Sequence, residues 1–140
     1  MPYQLEFEHL LNYGTREQGI SVPVILSLGQ SSVDVVAKLD CGASHCVFER
    51  AHGESLEIDV ESGYLRSFGT ATGYFDAYGH SATMAVKDYE FDVMVYFAKD
   101  EGFNRNVLGR IGFLDHMLVG MNDYAGKLYL NLISNVIDGE

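Results

Sequence analysis

The stretch Val33-Asp34-Val35-Val36-Ala37-Lys38-Leu39-Asp40-Cys41-Gly42-Ala43-Ser44 decides how this chain reads. Val33, Val35, Ala37 and Leu39 recur at every second position, the period of a strand with one buried face. The strand ends on Asp40, and Gly42 marks a tight turn behind it. Such an arrangement carries a carboxylate to the end of a rigid element and displays it there.

Working outward, Ile20 to Leu28 is a second β-rich run, with Val22, Val24, Leu26 and Leu28 on one face. Pro23 removes a backbone donor and points to an edge position or the strand's start. Gly29-Gln30-Ser31-Ser32 reads as the turn of a hairpin whose second strand delivers Asp40. On the other side, Val47 to His52 predicts a short helical turn ended by Gly53, and Leu56, Ile58 and Val60 alternate as a strand would. Tyr64 to Phe68 and Tyr74 to Tyr78 flank Gly69-Thr70-Ala71-Thr72-Gly73, whose composition suits a mobile hairpin tip. Ser81 to Val86 and Glu90 to Phe97 read as further strands, with Phe91, Tyr96 and Phe97 expected in the core. Lys99 to Asn106 is a polar loop. Val107-Leu108-Gly109-Arg110 follows, and Ile111, Leu114 and Leu118 then recur at roughly helical spacing. Val119 to Asn122 and Lys127 to Asn131 predict a closing hairpin around Asp123-Tyr124-Ala125-Gly126.

The expected organisation is one all-β domain over residues 20–131, with one or two short helices. Residues 1–19 are expected to pack on it as an extension, and residues 132–140 to form a tail. A chain of 140 residues, 47% hydrophobic, carries enough apolar area for one packed core. Its net charge of −11 comes from scattered acids, 20 against 9 basic residues. Nucleic-acid binding is disfavoured, because phosphate contact calls for clustered Lys and Arg. No apolar segment is long enough to span a membrane. Glu6, Glu8 and Glu17 make the first twenty residues unlike a secretory signal. With two cysteines, the expected compartment is a reduced cytoplasm.

Other chemistries fit less well. His9, His45, His52, His80 and His116 show no metal-ligand spacing with cysteine, and Cys41-x4-Cys46 has the wrong gap for a zinc knuckle, so no metal and no cofactor are expected. Residues 69–73 lack the nearby Lys of a phosphate cradle. A Cys41 nucleophile with His45 as base is conceivable, but the strand-and-turn setting suits an acid better.

Three features coincide: Leu39-Asp40-Cys41-Gly42-Ala43-Ser44, the glycine-flanked hairpin tip Gly69–Gly73, and Val107-Leu108-Gly109-Arg110. In that order they resemble the retroviral-type (retropepsin-like) aspartic proteases, particularly their small bacterial members, which Gly112-Phe113-Leu114-Asp115 also resembles. The resemblance covers residues 20–131. It implies a closed retropepsin-like β-barrel with a flap hairpin, one lobe per chain. It also implies a homodimer, because this chain has one such acid motif and the catalysis needs two carboxylates. Val136-Ile137-Asp138-Gly139 lacks the Asp-x-Gly order and is treated as chance.

On this resemblance Asp40 is the catalytic acid of an endopeptidase acting on peptide or protein substrates. Gly42 and Ala43 shape its turn, and Ser44 places a hydroxyl beside the site. Gly69, Thr70, Ala71, Thr72 and Gly73 form a flap over substrate. Leu108 and Gly109 pack behind the catalytic turn, with Arg110 in a structural role. Cys41 departs from the family, where a Thr or Ser hydroxyl braces the two catalytic turns across the dimer. A thiol donates weakly, and each neutral hydrogen bond lost would cost roughly 0.5–1.5 kcal/mol. The departure keeps a second reading open: a weak or inactive member of the fold that serves as a dimeric peptide-binding or scaffolding module. Two Cys41 thiols near a dimer axis could also form an intersubunit disulfide, if their Cα atoms fall within about 7 Å. Doubling −11 gives a dimer of −22, whose self-repulsion would make assembly salt-sensitive.

Overall fold

The computed structural model describes residues 1–137. The hairpin that presents Asp40 forms as its pattern requires, with β2 (Ile20–Leu28) antiparallel to β3 (Ser31–Leu39), Val22 facing Ala37 and Val24 facing Val35. Val22, Val24, Leu26, Val35 and Ala37 are buried, while Leu28, at the turn, is exposed. Pro23 pairs with Val36 on one side only, because the second neighbour of β2 begins at Ile25. Its missing N–H therefore costs no ladder bond.

Six strands close on themselves. The strands β4 (Val47–Phe48), β6 (Gly73–Val86), β7 (Tyr89–Ala98) and β8 (Val107–Leu108) continue the sheet from β3 in the order β3-β8-β4-β7-β6. The β6 strand then pairs back onto β2, Leu26 opposite Met84, and completes a barrel. Closure removes free sheet edges around the ring. The β5 strand (Tyr64–Thr70) hangs on β6 as an overhanging hairpin. A separate antiparallel sheet of β1 (His9–Asn12), β10 (Lys127–Leu132) and β9 (Met117–Asn122) caps the barrel. Leu11 of β1 and Leu128 and Leu130 of β10 join Phe48, Phe97, Phe113 and Leu108 in one continuous core. Burying each such side chain contributes about 1.5–3 kcal/mol.

Four local expectations are corrected. Residues 47–52 are not one helical turn: Val47 and Phe48 are strand, and α1 runs Arg50–Ser55 straight through Gly53. Gly53 is needed there because a Cβ would lie 2.9 Å from the ring of Phe97. Residues 56–60 form no strand. Leu56 and Val60 are buried, but the segment closes α1 and then makes a 3₁₀ turn, Val60–Ser62. His80 Nε2 donates to the Val60 carbonyl at 2.7 Å and secures that turn.

The two strands expected at 74–78 and 81–86 are one, β6, passing unbroken through Gly79. A side chain at that position would strike Tyr96, 2.8 Å away. No helix follows Arg110. Gly112 lies at φ 107°, and the N–H groups of Leu114 and Asp115 bond back to the carbonyls of Gly109 and Arg110 in a wide turn. That turn drives Phe113 into the core, and Leu118 belongs to β9. After β10 the chain makes a short helix, α2 (Ile133–Ile137). The Asp138-Gly139 pair of the C-terminal motif lies outside the described residues.

Candidate active site

Asp40 follows directly on β3, and its position is fixed by its neighbours. Its N–H donates to the Leu108 carbonyl at 2.9 Å, and its own carbonyl accepts from Ala43 N–H at 3.1 Å. The Gly42 N–H donates to Asp40 Oδ1 at 2.9 Å. One carboxylate oxygen is thus held by the turn, and the residue remains exposed. A Cβ on Gly42 would stand 3.1 Å from that oxygen, so the small residue preserves this approach.

The turn is fastened to residues 108–112. Arg110 N–H donates to the Ala43 carbonyl and Ile111 N–H to the Ser44 carbonyl, both at 2.9 Å. Gly109 lies flat against this backbone. A Cβ there would sit 2.3 Å from the His45 carbonyl oxygen and 2.7 Å from that of Ala43. Beneath the turn, Cys46 is fully buried. Its sulfur accepts from Gly109 N–H at 3.4 Å and its thiol donates to the Ile111 carbonyl at 3.7 Å. Burial pushes that thiol up to about 12, the Gly109 bond opposing and Asp115 adding to the rise. Cys46 is therefore an inert packing group. Cys41, one residue past the acid, is exposed and free. Arg110 also has an exposed side chain, and among the described residues no carboxylate pairs with it.

The glycine-flanked tip forms the end of the β5–β6 hairpin. Thr70 pairs with Gly73, leaving Ala71 and Thr72 as the turn. Thr70 Oγ1 donates to the Gly73 carbonyl at 3.1 Å and accepts from Thr72 N–H at 3.3 Å. Gly73, at φ 146°, has a backbone that only glycine adopts readily. Gly69 has no such need, since a Cβ there would meet Tyr74 at an ordinary 3.5 Å.

A cavity of about 520 Å³ brings these parts together. Asp40, Gly42, Ala43 and Ser44 form its floor, and Gly69, Thr70, Ala71 and Thr72 form its roof. Gly73, Cys41, Leu108, Gly109 and Arg110 do not line it. The walls hold residues that the sequence did not single out: Val47, Phe68, Phe75, Phe103 and Arg105. Phe68 stacks on Phe75 with ring centres 5.4 Å apart, and Phe75 lies 4.7 Å from Phe103. His45 also faces the cavity. Its ring meets the edges of Phe68 and Tyr96, and its Nδ1 bonds Ser44 Oγ at 2.7 Å rather than Cys41. Burial first, and the Arg66 charge second, lower its pKa from the usual histidine value. A sequence signal for Phe103 and Arg105 did exist, because they immediately precede the segment that pairs beside Asp40.

A closed barrel, an acid at the end of β3, a fastened turn beneath it and an overhanging hairpin define a single-lobed retropepsin-like fold. Two solved structures share it. A retropepsin-like aspartic protease from Rickettsia conorii matches with a TM-score of 0.66 at 16% identity, over 86% of this chain and 96% of that one. The EIAV protease, solved with an inhibitor, matches with a TM-score of 0.53 at 19% identity, over 68% of this chain and 85% of that one. No protein-family model and no curated protein matches the sequence.

Proposed function

We propose that this chain is one subunit of a homodimeric aspartic endopeptidase in which Asp40 and its counterpart from a second copy activate a water. The observation that carries this reading is the shared cavity, in which an exposed carboxylate held by Gly42 N–H lies under a hairpin tip. One such lobe supplies one acid, and two symmetry-related carboxylates complete the chemistry. Close together, they do not both ionise, and one proton is shared between them. The charged Asp40 takes a proton from water as the oxygen attacks the peptide carbonyl. The protonated Asp40 donates to that carbonyl oxygen. Proton return to the amide nitrogen then expels the amine, and the pair's two titrations belong to both carboxylates together. The β5–β6 tip closes over the peptide and excludes bulk water. Residues 69–73 are assigned to this flap, and Leu108, Gly109 and Arg110 to support of the turn.

The exposed Cys41 favours a second reading, a dimeric peptide-binding module with little or no activity. One experiment separates the two. Wild type, Asp40→Asn and Cys41→Thr are incubated with a diverse peptide library between about pH 3.5 and 7, where a shared-proton pair is active. The endopeptidase predicts cleavage lost in Asp40→Asn, blocked by a statine-type inhibitor and raised in Cys41→Thr. A folded, dimeric protein that cleaves nothing, with Cys41→Thr equally silent, would establish the binding module instead.

A further inference from the structure

The cleft holds a cation that no carboxylate among the described residues neutralises. Among the described residues, Arg105 and Asp40 are the only Arg, Lys, Asp or Glu side chains lining it. The Arg105 guanidinium lies 5.7 Å from the centre of the Phe103 ring, which orients it without discharging it. In a chain with 20 acidic residues against 9 basic ones, a cleft arginine would be expected to find a carboxylate. Among the described residues none pairs with it.

Of the acids around its loop, Asp100, Asp76 and Glu49 are engaged elsewhere, and Glu101, in the loop itself, forms no ion pair with it. Asp100 Oδ1 accepts from Gly102 N–H at 2.8 Å, and Asp76 accepts from Ser67 at 2.5 Å. Glu49 accepts from Asn106 Nδ2 at 3.0 Å and lies 3.2 Å from His52. These bonds also pin the loop at both ends. The Asn106 side chain accepts from Glu49 N–H at 3.0 Å, and Lys99 is held by Asp76 through its N–H and by Arg50 through its carbonyl. Arg105 is thus presented by an anchored loop. A second arginine, Arg66, sits 5.9 Å over the Tyr96 ring and likewise lacks a carboxylate partner among the described residues. Its field reaches His45 on the cavity wall, where it helps to disfavour a charged imidazole.

From this placement we infer that the cleft selects peptides with a Glu or Asp side chain set beside a large apolar one. Arg105 receives the carboxylate, and the Phe68, Phe75 and Phe103 wall receives the apolar group. Arginine suits this role because its planar fork binds a carboxylate through two parallel hydrogen bonds. The selection runs against the overall charge of the protein, which repels acidic peptides at long range. Specificity for an acid therefore has to be local. The inference rests on the cavity being the peptide cleft of the proposed endopeptidase.

The test is binding to the full-length Asp40→Asn chain, which retains an acceptor for Gly42 N–H and cannot consume the probe. Fluorescein-labelled positional-scanning octapeptide libraries, with Glu, Gln or Lys fixed at one position at a time, are titrated by fluorescence anisotropy. At one position Glu should bind better than Gln by about fivefold, the upper end for an exposed ion pair. Adding Arg105→Gln should bring that ratio to about one, Arg105→Lys should retain part of it, and Arg105→Glu should turn the preference towards Lys. Arg105 is exposed, so these variants should fold, as circular dichroism would verify. Peptide binding with no Glu preference, or with one that survives Arg105→Gln, would overturn the inference and leave the cleft reading standing. Binding of no peptide at all would overturn both.

Discussion

Gly109→Ala tests whether the Asp40 turn depends on its packing against residues 108–112. A Cβ at this position would stand 2.3 Å from the His45 carbonyl oxygen and 2.7 Å from that of Ala43, where ordinary contact begins at 3.4 Å. Both atoms are backbone, so no side chain can rotate away. The two segments must separate by about an ångström, a displacement of the overpacking kind that costs roughly 1–3 kcal/mol. The Arg110 N–H to Ala43 and Ile111 N–H to Ser44 bonds, both 2.9 Å, would open with it. They contribute roughly 0.5–1.5 kcal/mol each. The sum, about 2–6 kcal/mol, is a large share of the ~5–15 kcal/mol that holds a typical domain. In urea the midpoint should fall by about 1–3 M, and Tm by roughly 10 °C or more. Gly42→Ala is the control. Its Cβ meets only the Asp40 carboxylate, at 3.1 Å, so it should cost less than about 1 kcal/mol while disturbing the acid. A Gly109→Ala midpoint within roughly 0.3 M of wild type would refute the account of how the turn is fastened.

Three further outcomes are expected. In the folded subunit, at protein concentrations low enough to keep it monomeric, iodoacetamide should label Cys41, which is exposed in the single chain, and spare Cys46, which is buried with its pKa near 12. Mass spectrometry should find both labelled after denaturation, and rapid native labelling of Cys46 would contradict its place beneath the turn. Tyr13, bonded to Asp123 at 2.7 Å, and Tyr89, bonded to Glu8 at 2.6 Å, both have pKa values raised from 10.0 to about 12, chiefly by burial. Their neutral forms are favoured by folding, so this stabilisation is complete below pH 10 and fades as pH rises towards 12. Phenolate absorbance should show two late-titrating tyrosines, and Tyr89→Phe should remove one of them. By sedimentation, dimers should tighten as ionic strength rises, because salt screens the repulsion between two subunits of charge −11. Dissociation constants independent of salt would remove that idea.

What the sequence revealed follows the range of the interactions involved. The β2–β3 hairpin was legible because alternation, Pro23 and the Gly29 turn all act locally and agree, although the turn is only Gly29-Gln30 and β3 begins at Ser31 rather than Val33. The β5–β6 tip was legible for the same reason. Leu56, Ile58 and Val60 alternate as strands do, yet no neighbouring strand offers them a ladder. Their spacing reflects burial against the barrel from a turn. Ile111, Leu114 and Leu118 carried a helical period, but Gly112 at positive φ and the buried Phe113 between them impose a wide turn. Gly53 and Gly79 looked like breaks and are instead points where an aromatic ring lies against the backbone. The acid and its roof could be read from motifs. Most of the cavity wall could not, because Val47, Phe68 and Phe75 come from three segments that only the closed barrel brings together.

The same division bears on Cys41. Within the subunit Asp40 is held by the Leu108 carbonyl, Ala43 N–H and Gly42 N–H around it, with the Cys46 sulfur and Gly109 below. None uses the Cys41 side chain, which is exposed. Replacing a hydroxyl by a thiol at that position therefore leaves the acid's local pose intact. In the proposed homodimer its effect would fall on whatever the second copy presents to it. The barrel and the placement of the carboxylate are properties of the subunit, whereas pairing two carboxylates is a property of the assembly. The two proposed readings, enzyme and binding module, would thus differ at the interface of the proposed dimer, where a weaker brace would loosen the pair without unfolding either half.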